Sequence, residues 1–325
     1  MSTGGAPPLI SVVSPIYLAE DLIDDLTDQV KASVSEITED FEIVLVDDGS
    51  PDDSWRRIEK QCRSDYRVKG VQLSRNFGQH HALTAGLATA TGDYVVVMDC
   101  DLQDHPRYIP QLYEEITGGY DLVLTRKRAR AHGGARNWTG GVYSWIFNVL
   151  ITDRRLRDHK GIGNYSILSR RVVDSFLSMN DRHRHYLGLI RWMGFNAGVI
   201  EIDHHERPKG STSYTFRRLL REAMVGITSE TERLLQLSVV GGFVFVGLAA
   251  VLAVTLVVLW ATVGFLRGWT SLMVVNLLGI GLVLSSLGVA GIYLGNIFEQ
   301  TKQRPLYLIR EELNTRPSAT ETDDE

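Results

Sequence analysis

The sequence contains little cysteine. Among its 325 residues, Cys62 and Cys100 are the only cysteines, and they do not form a CxxC metal motif. Two isolated cysteines favour reduced packing residues over a disulfide framework. Histidines occur as adjacent pairs at 80–81 and 204–205. Neighbouring side chains on one strand or helix point apart, which favours structural roles for them over zinc ligation.

Charge is limited and unevenly distributed. The formal net charge is -5 at pH 7, whereas a nucleic-acid binder is expected to carry a basic excess, so we expect no nucleic-acid partner. No charged residue occurs in the 33 residues 234–266 or the 31 residues 268–298, which flank Arg267. About 20 apolar helical residues cross a bilayer core. These stretches predict a two-helix transmembrane hairpin; the alternative is a pair of buried core helices.

The flanks of the apolar stretches predict their orientation. Basic residues precede them at Arg217, Arg218, Arg221 and Arg233 and follow them at Lys302, Arg304 and Arg310. The positive-inside rule therefore places both termini in the cytoplasm. The N-terminal MSTGGAPPLISVV lacks a basic segment followed by an apolar one, so no signal peptide is predicted. We expect a protein of the plasma (inner) membrane with two spans and a cytoplasmic N-terminal domain.

Residues 10–126 alternate β-type runs with segments of helical periodicity. The β-type runs include ISVVSPI at 10–16, EIVLV at 42–46 and DYVVVMD at 93–99. This order predicts an α/β fold with a mainly parallel, Rossmann-like sheet and helices on both faces. In such sheets, ligands bind beyond the carboxyl ends of the strands.

The patterns divide the chain into five segments. They are a flexible N-terminus at 1–8, the α/β domain at 9–212, interfacial amphipathic helices at 213–233, two transmembrane helices at 234–298 and a cytoplasmic tail at 299–325. The polar, acidic sequence after about residue 314 predicts disorder at the end of the tail.

Two aspartates follow the apolar run VVVM in MDCDLQD. Side chains alternate along a strand, so Asp99 and Asp101 are expected to point the same way and Cys100 the other way. Two convergent carboxylates suit Mg²⁺ or Mn²⁺, and they leave positions for water and phosphate oxygens. Gln103 is a candidate third ligand. Asp104 is predicted to cap the helix that follows it.

Polar residues also follow three other predicted strands. Pro15 and Tyr17 follow the first strand, Asp48 the second and Arg75 the third. Asp48 can accept hydrogen bonds from a base or ribose, whereas the acidic residues after it fit a helix cap better. Arg75 lies beside a helix start at Gly78, a location that favours phosphate. The sequence therefore predicts one binding site at these strand ends.

Several motifs occur in a fixed order along the chain: PIY at 15–17, VDDGSPDDS at 46–54, LSRNFGQHHALTAGL at 73–87, GDYVVVMDCDLQDHP at 92–106 and the C-terminal apolar hairpin. Together they resemble the polyisoprenyl-phosphate glycosyltransferases. These are GT-A-fold enzymes of glycosyltransferase family 2, such as dolichol-phosphate mannose synthase, the bactoprenol glucosyltransferases and the undecaprenyl-phosphate aminoarabinose transferase. The resemblance covers about residues 9–312.

The resemblance implies a metal-dependent, inverting membrane glycosyltransferase. Such an enzyme moves a sugar from a UDP-, GDP- or dTDP-sugar to a polyprenyl phosphate, here undecaprenyl or decaprenyl phosphate, for cell-envelope glycans. It also implies a homo-tetramer, with KQRPLYLIREEL at 302–313 as a contact segment.

The resemblance further implies roles for single residues. Nucleotide-sugar contacts are expected from Pro15, Tyr17, Asp48, Arg75, Asp99, Asp101, Gln103 and Ser213. Catalytic roles fall to Asp99, Asp101, Arg126 and Arg207, and metal ligation to Asp99, Asp101 and Gln103. Arg128, Arg136 and Asn164 are candidates for the acceptor phosphate. The alternative for the two arginines is a basic face against anionic lipid headgroups.

Three positions depart from the family pattern. Ala19 replaces a carboxylate, unless Glu20 substitutes for it; Asn164 also replaces a carboxylate, and Ser213 replaces a lysine. A missing base matters less when the acceptor is a phosphate, since a phosphate monoester has a second pKa near 6 and is largely ionised at neutral pH. Two alternatives are a non-catalytic membrane scaffold with the same fold and a processive polysaccharide synthase.

Overall fold

A computed structural model describes residues 9–127, 161–182, 184–203, 233–263 and 269–315. The chain divides into two units: Met1–His132, Asp158–Thr212 and Arg304–Glu325 form the first, and Gly133–Arg157 and Ser213–Gln303 form the second. Arg128, Arg136, Arg207 and Ser213 lie outside the described residues. The same holds for the predicted interfacial helices before Arg233 and for the predicted disorder after residue 315.

A mixed sheet of eight strands forms the centre of the first unit. The strands are β1 (Ile10–Ile16), β2 (Phe41–Asp47), β3 (Val68–Leu73), β4 (Tyr94–Val97), β5 (Leu122–Lys127), β6 (Ile162–Ser169), β7 (Ala197–Ile202) and β8 (Ile309–Leu313). Their order in the sheet is β7-β5-β6-β4-β1-β2-β3-β8. β1 pairs in parallel with β2 and β4, β2 with β3, and β5 with β7. The predicted mainly parallel sheet is therefore confirmed, with β6 and β8 as its antiparallel strands.

Helices cover both faces of this sheet, as the βαβα pattern predicts. They are α1 (Ile23–Ser35), α2 (Ser54–Ser64), α3 (Gln79–Thr89), α4 (Ile109–Thr117), α5 (Arg170–Ser178) and α6 (Tyr186–Trp192). Strand alternation separates two apolar clusters. Val12 packs on the side of α1, α2 and α4, and Val13 packs on the side of α3, α5 and α6. Burial on both faces explains the continuous apolar runs of the central strands.

A buried polar network lies at the amino ends of the central strands. Glu42 of β2 forms an ion pair with Lys69 of β3, and both side chains are about nine-tenths buried. The Glu42 carboxylate also accepts hydrogen bonds from Ser11 Oγ (2.6 Å) and from the Thr91 N–H (2.6 Å). These contacts supply the partners that a buried charge requires.

The edge of the sheet beside β3 is formed by a segment from the far end of the chain. β8 pairs antiparallel with β3, and the Ser74 N–H donates to the Leu308 carbonyl (2.9 Å). Asn314 Nδ2 then donates to the carbonyls of Cys62 (2.7 Å) and Val68 (2.9 Å). These residues belong to the predicted tail, because the exposed, charged IREEL lacks the apolar pattern of a buried strand.

The second unit contains two long helices, α7 (Arg233–Val263) and α8 (Trp269–Thr301). Within the described ranges, Leu278–Thr301 is the one segment both long and apolar enough to cross a membrane, and Ser238–Leu252 is a shorter apolar helical stretch. The described residues thus contain one candidate span where the sequence predicts two. The two-span hairpin remains a prediction.

Candidate functional site

The acidic pair Asp99 and Asp101 lies in a turn beyond the carboxyl end of β4. The strand ends at Val97, and its ladder with β1 ends there too. The prediction that strand alternation orients the two aspartates is therefore wrong, because neither residue is on the strand. The turn is instead shaped by Leu102, whose φ is +55°, and by the Gln103 N–H, which donates to Asp101 Oδ1 at 3.1 Å.

Asp99 is the most strongly perturbed carboxylate of this turn. Burial raises its pKa to about 6, and the neighbouring charges of Asp101 and Asp104 act in the same direction. The charge of Lys127 and a hydrogen bond donated by Asn164 counter this rise in the pKa. Gln79 Nε2 also donates a hydrogen bond to Oδ1 of the carboxylate, at 2.6 Å. The turn thus concentrates negative charge in a partly dehydrated place, an arrangement common at functional sites.

Asp104 is not the helix cap that the sequence predicts. Its buried carboxylate forms an ion pair with Lys127 Nζ at 3.2 Å. The cap is His105, whose Nδ1 accepts from the Arg107 N–H at 3.1 Å. A capping carboxylate must stay near the helix N-terminus, whereas the cation at the end of β5 draws Asp104 toward the sheet. Asp104 therefore connects the turn that carries Asp99 and Asp101, the acidic turn, to β5.

Lys127 is a site residue that sequence reasoning missed. Side chains alternate along β5, so Lys127 shares a face with Val123, whereas Arg126 shares the opposite face with Leu122 and Leu124. The charge of Lys127 lowers the pKa of Asp99. The alternation itself was the available signal, since it distinguishes the two adjacent basic residues of LTRKR. Lys127 reaches the acidic turn through its ion pair with Asp104.

Asp48 holds the neighbouring loop in place. Its Oδ1 accepts from the Phe77 N–H at 2.7 Å and its Oδ2 from the Gly78 N–H at 2.9 Å. Burial raises the pKa of Asp48, and these two hydrogen bonds oppose the rise. Both carboxylate oxygens are thus engaged with the backbone at the start of α3. The predicted contact with a ribose or base would have to use the remaining lone pairs.

Three other residues predicted for the nucleotide, Pro15, Tyr17 and Arg75, lie on or after β1 and β3. Tyr17 is exposed and follows β1, and Pro15 lies within β1 opposite Val46. The Arg75 guanidinium lies 4.0 Å from the centre of the Phe77 ring. Thus the exposed residues Tyr17 and Arg75 follow β1 and β3, the parallel strands on either side of β2, as expected for one site at the strand ends.

Glu20, the candidate substitute for the carboxylate that Ala19 lacks, contacts the start of α2. Its Oε2 accepts a hydrogen bond from the Asp53 N–H at 2.8 Å, at the start of α2. The adjacent Ala19 is buried, and its N–H lies 3.3 Å from Ser54 Oγ. These bonds join the loop after β1 to the loop after β2, which gives Glu20 a structural role in the described residues.

Gly49 permits the close approach of two loops, and replacing it by alanine tests that approach. Its φ is +63°, and a Cβ at this position would lie 2.5 Å from the Arg75 carbonyl carbon and 2.7 Å from Asn76 N. We expect Gly49→Ala to displace the loop and to lower the free energy of unfolding by about 1–3 kcal/mol. Urea unfolding measures the loss of stability, and nucleotide binding measures the effect of the displaced loop.

The control for this variant is Gly119→Ala. Gly119 also has a positive φ, +117°, but nothing lies within 4 Å of its added Cβ. Backbone strain alone would therefore affect both variants, whereas the collision affects only Gly49→Ala. Equal stability and equal nucleotide affinity of the two variants would contradict the role given to Gly49.

The histidines of α3 are engaged in packing contacts. The His80 ring lies 5.1 Å from the His185 ring, and burial lowers the pKa of His80 to about 4. The two ring nitrogens of His81 lie 3.0 Å and 3.3 Å from the carbonyl oxygens of Phe77 and Arg182. Among the described residues, no group of three or more His, Cys, Asp or Glu side chains could hold a metal ion. A cation at Asp99 and Asp101 would therefore need ligands from a substrate or water.

Comparison with known proteins identifies the family. Residues 11–176 match the model of glycosyl transferase family 2. The undecaprenyl-phosphate 4-deoxy-4-formamido-L-arabinose transferase of Proteus mirabilis is 31% identical over 335 residues, covering 100% of both chains. The prophage bactoprenol glucosyl transferase homolog of Escherichia coli is 30% identical, covering 93% of this chain and 98% of that one. The Bacillus subtilis glycosyltransferase YkcC is 31% identical, covering 92% and 93%. This chain therefore belongs to glycosyl transferase family 2.

Proposed function

We propose that this protein transfers a sugar from a nucleotide-diphosphate sugar to a polyprenyl phosphate with inversion at the anomeric carbon. The observation that carries the proposal is the acidic turn of Asp99 and Asp101, next to the ends of parallel strands, in a family 2 chain. Two full-length relatives act, by their names, on undecaprenyl phosphate or bactoprenol. The product would serve cell-envelope glycan synthesis or modification.

The donor set fits a divalent cation. Asp99 and Asp101 supply two hard carboxylate oxygens, and Mg²⁺ and Mn²⁺ are bound in such sites by one or two carboxylates together with substrate phosphates. When bound, the ion neutralises charge on the departing diphosphate. Gln103 is the proposed additional ligand. Pro15, Tyr17, Asp48, Arg75 and Ser213 are proposed for the nucleotide sugar, and Arg126 and Arg207 for its phosphates.

The acceptor can react without a protein base. A phosphate oxygen of the lipid attacks the sugar C1 while the bond from C1 to the diphosphate oxygen breaks, and the electron pair leaves with the nucleoside diphosphate. A monoester phosphate is largely ionised at neutral pH, so no proton has to be removed. Asn164, which is not a base, is compatible with this step. Catalysis then depends on orientation and charge stabilisation.

Membrane attachment brings the lipid phosphate to the site in this proposal. We infer a two-span hairpin with the catalytic domain and both termini in the cytoplasm, flanked by the interfacial segment 213–233. Leu278–Thr301 is the candidate span among the described residues. Arg128 and Arg136 are proposed for the acceptor phosphate, and a homo-tetramer is the proposed assembly.

The experiment that tests this function compares two acceptors. Detergent-solubilised protein is incubated with Mg²⁺, a panel of UDP-, GDP- and dTDP-sugars, and either undecaprenyl phosphate or undecaprenol. We expect an alkali-stable, acid-labile glycolipid from the phosphate and none from the alcohol, because only the phosphate is ionised without a base. Transfer to the alcohol at a similar rate would contradict the proposed mechanism.

A further inference from the structure

Two neutral amides from different elements hold the Asp99 carboxylate. Gln79 is the first residue of α3 and donates to Oδ1 at 2.6 Å, while Asn164 donates from β6. We propose that Gln79 and Asn164 are positioning residues that orient Asp99 toward a divalent cation. This inference rests on the proposed function, since it needs a cation at Asp99 and Asp101. It assigns Asn164 to the donor side of the reaction rather than to the acceptor phosphate.

The strand that carries Asn164 is irregular where it passes the acidic turn. Leu124 of β5 pairs with Ser166 of β6, but Arg126 pairs with Ile162. A step of two residues along β5 (124 to 126) is therefore matched by a step of four along β6 (166 to 162). β-Bulges redirect side chains and are common beside active sites. Asn164 itself lies opposite Asp99 when the antiparallel register of β4 with β6, which pairs Val97 with Ser166, is continued by two residues.

The chemistry of position 164 favours an amide for this role. An ionised carboxylate only accepts hydrogen bonds, whereas an amide nitrogen donates two. Asp101 and Asp104 already repel the charge of Asp99, so another carboxylate at 164 would add repulsion and remove a donor. Carboxylate oxygens offer about four lone-pair positions. Two donated bonds leave about half of them for a cation, in a fixed orientation.

Gln79 connects the Asp99 carboxylate to the loop at the start of α3, which Asp48 holds in place. It directly follows Gly78, whose N–H donates to Asp48. One short segment, residues 77–79, therefore contacts both Asp48 and Asp99. If that segment moved, the hydrogen-bond partners of Asp48 and of Asp99 would move together. The segment therefore couples the loop that Asp48 holds to the acidic turn.

Direct binding of Mn²⁺ tests the inference without relying on activity. Full-length solubilised protein is titrated with Mn²⁺ in the absence of nucleotide, and free Mn²⁺ is measured by electron paramagnetic resonance. Loss of partners that orient metal ligands typically weakens metal binding by about 10–100-fold. We expect Asn164→Leu and Gln79→Leu each to weaken Mn²⁺ binding about tenfold, with a thermal unfolding midpoint close to that of the wild type.

A matched control is available on α2. Gln61 Nε2 donates to Asp24 Oδ1 at 2.6 Å, so Gln61→Leu removes the same kind of bond away from the acidic turn and should leave Mn²⁺ binding unchanged. If Asn164→Leu and Gln79→Leu bind Mn²⁺ as the wild type does, while Asp101→Asn loses binding, the inference is overturned and the proposed function stands. A wild type that binds no Mn²⁺ even when a nucleoside diphosphate is present overturns both. Equal weakening in Gln61→Leu also overturns the inference.

Discussion

Replacement of Asp101 by asparagine is expected to lower the rate of sugar transfer by on the order of 10²–10³-fold, the range seen when one electrostatic stabiliser of a transition state is removed. The two side chains have nearly the same shape, so the change removes one negative charge from the acidic turn. The nearby Asp99 would then face a cation without its second anionic partner. Steady-state kinetics at saturating Mg²⁺, together with nucleoside diphosphate binding, measure the effect.

The control for this prediction is Asp53→Asn. Asp53 belongs to the acidic motif VDDGSPDDS, but its side chain is well exposed and pairs only with Arg56 at 3.3 Å among its described ion pairs. We expect its activity to stay close to that of the wild type. If Asp101→Asn transferred sugar as fast as Asp53→Asn, with metal-dependent nucleotide binding intact, the acidic turn would not be the cation site.

The second large effect is expected on stability, from Glu42→Gln. The change leaves the Lys69 ammonium buried without its anionic partner, and breaking a buried ion pair in this way costs about 3–5 kcal/mol. Chemical unfolding of the solubilised protein, followed by tryptophan fluorescence, measures the loss. Because Glu42 lies at the end of the sheet opposite to the acidic turn, transfer by the folded fraction should be little changed.

The same residue predicts a pH dependence. Burial alone would raise the pKa of Glu42, but hydrogen bonds from Lys69, Ser11 and Thr91 bring it below its ordinary value. An acid with a lowered folded-state pKa stabilises the fold above its unfolded pKa of about 4.3 and loses that contribution as pH falls through the folded value. Glu42→Gln should therefore reduce the acid sensitivity of unfolding below about pH 4.3.

Glu39→Gln provides the comparison for Glu42→Gln. The Glu39 carboxylate lies 3.7 Å from Arg67 Nη1, and 81% of its side chain is exposed. Exposed ion pairs contribute about 0–1 kcal/mol, so this variant should unfold close to the wild type. Similar losses in the two variants would contradict the assignment of Glu42 as a buried, structurally required charge.

Local patterns were enough to predict the central strands, their helices and the location of the acidic pair near a strand end. Apolar runs such as Val95–Val97 are buried on both faces in a parallel sheet, so their composition alone indicates central strands. Gly78, predicted to start a helix, has a positive φ and directly precedes α3. These features depend on neighbours in sequence, which is why single-sequence reasoning reaches them.

The contacts that sequence reasoning missed join distant parts of the chain. The ion pair of Asp104 with Lys127 and the hydrogen bond of Asn164 to Asp99 depend on how β5 and β6 lie beside β4. β8 was missed for a related reason, since an exposed edge strand needs no apolar pattern and is defined by its pairing with β3. A local helix-capping rule favoured Asp104 as a cap, and a long-range charge overrode it.

The measurement that tests the central claim most directly is metal-dependent transfer to the lipid. Solubilised protein is given undecaprenyl phosphate and each nucleotide sugar of the panel, with Mg²⁺ or with excess EDTA, and the organic phase is analysed for a polyprenyl-monophosphate sugar. We expect one donor to yield this product with Mg²⁺ and none to yield it with EDTA. A product that forms equally with EDTA, or no product from any donor, would contradict it.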